Sequence, residues 1–257
     1  MTTTMKQTLY YLNDDDTWFP PVNDALEDPS GLLAVGGDLS STRLINAYEQ
    51  GIFPWYSDQE PLLWWSPDPR AVIDVGEVRV NKSLRKFLKK CPYKVSINRC
   101  FEQVITQCSL PRSEENGTWI FPEMKTAYVA LHQQHKAHSI EIWSGESGSQ
   151  TLVGGLYGVQ VGSSFCGESM FSAQPNASKL ALLVLENQLA KYQHSFIDCQ
   201  LPNPYLISMG AKTIDRDLFL DRLQMAAIEE VNPDDFEPRN VDWRALLHKV
   251  IGEHELL

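Results

Sequence analysis

Two short stretches carry polar residues at a spacing that a β-strand would turn into a site. In FIDCQ, residues 196–200, side chains alternate along an extended chain, so Asp198 and Gln200 share one face while Ile197 and Cys199 point inward on the other. In FCGESMF, residues 165–171, the same rule groups Cys166, Glu168 and Met170. Side by side, Asp198, Gln200 and Glu168 would form an acidic pocket with a hydrogen-bonding amide, suited to holding an amine and managing its proton. Read as structure alone, they are polar strand ends bonded to loops. A second resource is aromatic: Trp55, Trp64 and Trp65 lie within eleven residues, and Trp119 stands in GTWI. Indoles of this kind fill cores, or stack an unpaired base such as the splayed 3′ end of an RNA.

The chain's net charge of −11, from 22 basic and 33 acidic residues among 257, speaks against a phosphate-rich partner only on average. Residues 1–78 hold 3 basic and 13 acidic side chains, and residues 102–257 hold 11 and 20. Between them Arg79, Lys82, Arg85, Lys86, Lys89, Lys90, Lys94 and Arg99 stand with no acid. Leu84, Phe87 and Leu88 fall at i, i+3 and i+4 within this run, which predicts a basic amphipathic helix. A solvated surface helix, a membrane-surface helix and a phosphate-binding face are the available readings. The concentration of positive charge in an acidic chain favours the last.

Several chemistries lose their warrant. There is no G-x-x-x-x-G-K-[ST], no strand-borne G-x-G-x-x-G and no H-E-x-x-H, and GESMF lacks the final Gly of a nucleophile elbow. His132, His135 and His138 lie three apart but without nearby carboxylates, so they read as a polar helix face rather than a metal site. Five cysteines with no C-x-x-C spacing read as reduced thiols. No apolar run approaches the roughly 20 residues a bilayer needs, and the opening MTTTMKQTLYYLNDDD lacks a signal peptide's apolar core. A cytoplasmic protein without metal or cofactor is expected.

The elements that must position these residues follow from periodicity and punctuation. From Phe19 to Arg70, Pro and Gly are dense enough to predict turns around one short helix at Ser41–Gln50, capped by Ser40 or Ser41. A strand at Asp74–Val80, the basic helix, a strand at Tyr93–Ile97 and a helix at Phe101–Cys108 complete a first domain, residues 1–111. Residues 112–230 then read as a helix at Glu123–His135 and strands at Ser139–Trp143, Leu152–Val159 and Ser164–Met170, the last two a hairpin. A helix at Ala177–Tyr192 capped by Asn176, the strand Phe196–Gln200 and a helix at Asp217–Gln224 follow. This order predicts an α+β fold with a mixed sheet. Residues 231–257 read as an appendage ending in a helix at Trp243–Gly252.

GLLAVGGDLS, YEQGIFPWY, LWWSPDPRAV, GTWI, HSIEIW, LVGGLYGV, FCGESMFS, NASKLALL and FIDCQ, in this order from Phe19 to Leu220, closely resemble the leucyl/phenylalanyl-tRNA-protein transferase family. The resemblance implies a small N-terminal α/β domain and a GNAT-like acyltransferase domain. It implies transfer of leucine or phenylalanine, and less readily methionine, from aminoacyl-tRNA to an N-terminal Arg or Lys of a protein, marking that protein for bacterial N-end-rule degradation. No Q/R-x-x-G-x-G/A loop for coenzyme A is evident, consistent with a tRNA ester as the acyl donor. By motif, Asp198 and Gln200 match the family's catalytic pair; Trp55, Trp119, Glu168, Ser169 and Met170 match the aminoacyl and terminal-adenosine pocket, with Tyr48 and Leu156 beside them. Arg79, Lys82, Arg85, Lys86, Lys89 and Lys90 would hold the tRNA. A Fem-type cell-wall ligase shares the donor, and only an acceptor assay separates it. A non-catalytic RNA-binding module would have no use for the Asp198/Gln200 strand end, and a coenzyme A N-acetyltransferase would need the missing loop.

Overall fold

The computed structural model describes residues 8–58, 60–111, 118, 120–146 and 148–247. Where turns and one helix are expected, the N-terminal region also forms a small four-stranded sheet. Its strands are β1 (Tyr10–Leu12), β2 (Leu32–Gly36), β3 (Phe53–Pro54) and β4 (Leu63–Trp65), in the order β1-β2-β4-β3. They are too short and too often punctuated by Pro and Gly to show a period of two. Trp64 is fully buried there, edge-on to Phe19, its indole N–H bonded to the Gly36 carbonyl at 2.9 Å. Helix α1 (Ser41–Glu49) leaves this sheet, with the Ser40 hydroxyl accepting the Arg43 N–H.

The remaining strands build one eight-stranded sheet. They are β5 (Arg70–Asp74), β6 (Lys94–Ile97), β7 (Ala137–Ser144), β8 (Thr151–Val161), β9 (Ser164–Ser172), β10 (Phe196–Gln200), β11 (Lys212–Ile214) and β12 (Arg239–Val241). The order is β11-β5-β10-β9-β8-β7-β6-β12, and every pair is antiparallel except β9–β10. The fold is therefore α+β with a mixed sheet. The strand expected at Asp74–Val80 instead ends at Asp74; Gly76 turns the chain, and the buried Glu186 accepts the N–H groups of Gly76 and Val78 at 2.9 Å each.

Both faces of this sheet are covered. Val72, Tyr157, Cys166 and Phe196 face one core, and their neighbours Ile73, Leu156, Phe165 and Ile197 face the other. Helices α1, α3 (Phe101–Cys108), α4 (Pro122–Gln133) and α7 (Arg216–Ala227) supply the first core with the small sheet. Helices α2 (Lys82–Lys90) and α5 (Ala177–Leu189), the short α6 (Pro204–Ser208) and α8 (Trp243–Leu246) supply the second. Asn176 precedes α5 in a left-handed conformation, φ 61°, and its side chain makes no capping bond, contrary to expectation. Among the described residues no helix is long and apolar enough to cross a membrane.

The sheet joins segments expected to stand apart. Residues 1–111 contribute β5 and β6, and the supposed appendage contributes β12, paired with β6. Phe236 stacks on His138 at 4.2 Å, and the buried Trp243 donates its indole N–H to the Tyr93 carbonyl at 2.9 Å. The end of the helix expected at Trp243–Gly252 lies outside the described residues, apart from the stretch to Leu247. The three histidines do not share a helix face: His132 is on α4, His135 in the turn after it and His138 in β7.

Candidate active site

Strands β9 and β10 pair only at Ile197–Phe165 and Asp198–Cys166, then part. Beyond that point β9 follows β8, while β10 bulges between Asp198 and Gln200 as it follows β5. The opening is a cleft of about 790 Å³. Leu156, Met170, Leu182 and Leu185 give it apolar walls, and Glu168 and Gln200 give it a polar end. Leu156 and Met170 are direct cross-strand partners. Ser169 also lines the cleft, and its buried hydroxyl has no hydrogen-bond partner among the described residues.

Bulges alter the expected alternation at both strands. The β8–β9 register passes from Gly158–Gly167 to Tyr157–Ser169, leaving Glu168 as the extra residue. Cys166 and Met170 consequently pack on opposite cores rather than sharing a face. In β10 the register passes from Asp198–Val72 to Gln200–Ala71, and Gln200 adopts φ 61°, a conformation a non-glycine residue rarely takes. The Gln200 N–H closes this turn onto Asp198 Oδ1 at 2.9 Å.

Asp198 does not point outward to solvent as the strand pattern predicts. It is 4% exposed, because helices cover its face too, and a buried carboxylate needs a partner. Arg70, at the start of β5, is that partner: Nε and Nη2 donate to Oδ1 and Oδ2 at 2.8 and 2.7 Å. The guanidinium lies between the rings of Phe53 and Phe219, 4.8 and 4.5 Å from their centroids, and donates Nη1 to the Gly51 carbonyl at 3.1 Å. Gly51 has φ 73°, and a Cβ there would meet Phe219 at 2.8 Å. Burial opposes the Arg70 charge, but Asp198 outweighs it and holds the group above its ordinary pKa. The Cys166 thiol also contacts Asp198 Oδ2, at 3.3 Å. With both oxygens so engaged, Asp198 fixes its neighbours and does not itself face the cleft.

Glu168 is the carboxylate that does. Burial pushes its pKa up to about 7; donors from Tyr48, Tyr128 and Cys166 oppose the rise, and the charge of Asp198 adds to it. Tyr128 donates to Oε2 at 2.9 Å and Gln200 Nε2 to Oε1 at 2.8 Å. The Tyr48 hydroxyl, 2.5 Å from that of Tyr128, extends the chain of bonds. Burial drives both phenols well above their usual pKa, so they remain protonated donors. Tyr48, expected at the pocket wall, therefore stands buried behind Glu168.

Other expected residues are placed elsewhere. Trp55 is 41% exposed and lies edge-on to Trp65 at 5.6 Å in the small sheet, away from the cleft lining. Trp119 lies outside the described residues. Helix α2 forms as expected, capped by Asn81, with Leu84 and Leu88 buried and Lys82, Arg85, Lys86 and Lys90 exposed; Lys89 is half-buried. Arg79, also exposed, is tied by its N–H to the Met209 carbonyl, directly after α6, whose Leu206 lines the cleft. Arg70 and Tyr128 were not singled out by the sequence. Only the placement of Arg70 in SPDPRAV, where a charged residue opens an apolar strand, hints at a buried pair.

A family model described as Leucyl/phenylalanyl-tRNA protein transferase matches residues 72–224, and a model of that family's N-terminal domain matches residues 37–68. This chain belongs to that family. The transferase is 53% identical to the leucyl/phenylalanyl-tRNA–protein transferase of Colwellia psychrerythraea over 239 residues, covering 92% of this chain and 99% of the relative. Identity is 51% over 227 residues with that of Shewanella piezotolerans, covering 88% and 94%, and 48% over 239 residues with that of Pseudoalteromonas translucida, covering 93% and 98%. An alignment covering 92% of the chain necessarily extends past Val231, so the resemblance does not stop at the supposed appendage. The transferase cleft thus lies within the matched region, and the enzyme is an aminoacyltransferase.

Proposed function

We propose that this chain transfers leucine or phenylalanine, and less readily methionine, from aminoacyl-tRNA to the N-terminal Arg or Lys of a protein in the bacterial cytoplasm, marking it for N-end-rule degradation. The observation that carries the reading is a neutral-range carboxylate, Glu168, at the polar end of an apolar cleft between parting strands. That opening also supports the GNAT-like reading of the catalytic domain.

The donor is an ester and already activated, so no ATP is needed. The aminoacyl side chain lies against Leu156, Met170, Leu182 and Leu185. An apolar wall separates side chains differing by one methylene by only about 1–3 kcal/mol, which accommodates more than one amino acid. Glu168 takes one proton from the incoming α-ammonium, the free amine attacks the ester carbonyl, and the C–O bond to the ribose breaks as the amide forms. The second proton leaves nitrogen with the ribose oxygen. Gln200, its Nε2 held by Glu168, offers its carbonyl oxygen as the acceptor that aims the amine. Arg70 and Asp198 hold the Gln200 turn. The exposed cations Arg79, Lys82, Arg85, Lys86 and Lys90 bind the tRNA backbone, with Lys89 on the same helix. Incubating Leu-tRNA with an Arg-initiated peptide, without ATP, is expected to give Leu-Arg-peptide; absence of product overturns the reading.

A further inference from the structure

At the β12 edge of the large sheet, strands β6 and β12 and helix α8 line a hollow of about 530 Å³. Lys94, Arg99 and Arg244 converge on it against one carboxylate among the described residues, Asp242. Trp143, opposite Lys94 in the β6–β7 ladder, is half-buried there, its indole N–H held by Ser96 Oγ at 2.8 Å. Arg99 is positioned by Asn240 Oδ1 at 2.6 Å. Arg244 lies over the Trp243 ring and donates to the carbonyl of Cys91, the residue that ends α2. The hollow therefore continues the basic face of α2 around the sheet edge.

A further depression of about 490 Å³ borders both: it shares Gln103, Trp143 and Gln150 with the hollow and Gln107 with the cleft. Three strand spacings, roughly 15 Å, separate β9 from β6, a distance that a few nucleotides cover.

We infer that this track receives the single-stranded 3′ end of the RNA donor as it leaves the cleft, with one base stacked on Trp143 and phosphates at Lys94, Arg99 and Arg244. The inference rests on the transfer reading above. Among the described residues along the track, Lys94, Arg99, Arg244 and Lys125 outnumber Asp242 and Glu102, and the remaining polar side chains, amides and the hydroxyls of Tyr93, Thr106 and Thr151 among them, carry no charge. This surface attracts phosphate and repels a polypeptide with a basic N-terminus. An indole stacks any base.

The test uses the full chain, an Arg-initiated peptide and two donors: Leu-tRNA, and the leucyl ester of adenosine, which has no upstream nucleotides. Lys94→Glu alters an exposed side chain, and Trp143→Ala with its conservative counterpart Trp143→Phe separates stacking from packing. Lys94→Glu and Trp143→Ala are each expected to raise KM for Leu-tRNA about tenfold, with kinetics on the adenosine ester unchanged and Trp143→Phe close to wild type. Lys94→Glu also lowers the slope of log affinity for deacylated tRNA against log salt by about one. Variants that transfer from the adenosine ester with unchanged KM and salt slope for tRNA overturn the inference. A KM raised for the peptide instead assigns the track to the protein acceptor and overturns it as well. If the unaltered chain transfers from neither donor, the transfer reading fails, and the tRNA titration still decides the track: equal affinity and slope in wild type and Lys94→Glu refute it.

Discussion

Arg70 grips Asp198 through two parallel hydrogen bonds of 2.8 and 2.7 Å, with both residues sealed from solvent between two phenylalanine rings and the β10 strand end. A buried ion pair gains little over a well-packed apolar pair, but removing one partner strands a charge and costs about 3–5 kcal/mol. Arg70→Gln is therefore expected to lower stability by that amount in urea unfolding. Combining Arg70→Met with Asp198→Leu is expected to recover much of the loss while transfer stays low, because Gln200 has lost the carboxylate that accepts its N–H. Arg70→Gln within 1 kcal/mol of wild type would show that the pair is not a structural anchor.

Glu168 sets the pH behaviour. In the proposed mechanism Glu168 is the base and works deprotonated, so kcat/KM is expected to rise with pH through about 7, and Glu168→Gln to remove that limb. Stability has the opposite dependence. A carboxyl whose pKa is raised by folding favours the folded state while protonated; this contribution is complete below pH 4.5 and is lost as pH rises through about 7. Across that window wild type is expected to lose up to about 3 kcal/mol relative to Glu168→Gln. Parallel unfolding curves for the two proteins from pH 4.5 to 8 would contradict the assignment.

Gln200 holds a left-handed conformation with its amide bonded to Glu168. An L-residue pays about 1–2 kcal/mol there that glycine does not. Gln200→Gly is thus expected to be about 1 kcal/mol more stable than Gln200→Ala, while both lose transfer by at least tenfold. Thermal unfolding with matched single-turnover rates checks this. Equal stabilities of the two variants would remove the strain argument.

The regular elements are legible in the sequence, and the site's geometry is legible only in part. Helix α3 and strand β10 fall where periodicity puts them, since each has unbroken spacing and a clear boundary. The buried leucines of α2 follow from their i, i+4 spacing in the same way. Two strand ends single out Asp198, Gln200 and Glu168, and Gln200 does link the other two, but Asp198 turns to Arg70 and away from the cleft. Two bulges are not legible: a period of two carries no mark for the extra residue at Glu168 or between Asp198 and Gln200. Nor does local pattern reveal Arg70, whose partner lies 128 residues away and is needed only because both sheet faces are covered. The tail misleads for a related reason, since β12 has three residues and acquires its meaning by pairing with β6.

Leu156 and Met170 face each other on adjacent strands of the cleft wall, so on the proposed function the identity of the transferred amino acid is expected to be adjustable there. Leu156 is 3% exposed and packs into the core behind the cleft, so Leu156→Ala is expected to cost about 2–4 kcal/mol in stability as well as widening the wall. The added room favours the larger phenylalanyl group, whereas a leucyl group loses contact without gaining a new one. An apolar pocket discriminates by about 1–3 kcal/mol for such changes, so the Phe-to-Leu ratio of kcat/KM is expected to rise about tenfold. Leu156→Phe fills the same space and is expected to move the ratio the other way. Measuring each ratio with both charged tRNAs in one competition reaction cancels any loss of folded enzyme. A ratio unchanged in both variants would place the side-chain pocket elsewhere than the Leu156–Met170 wall.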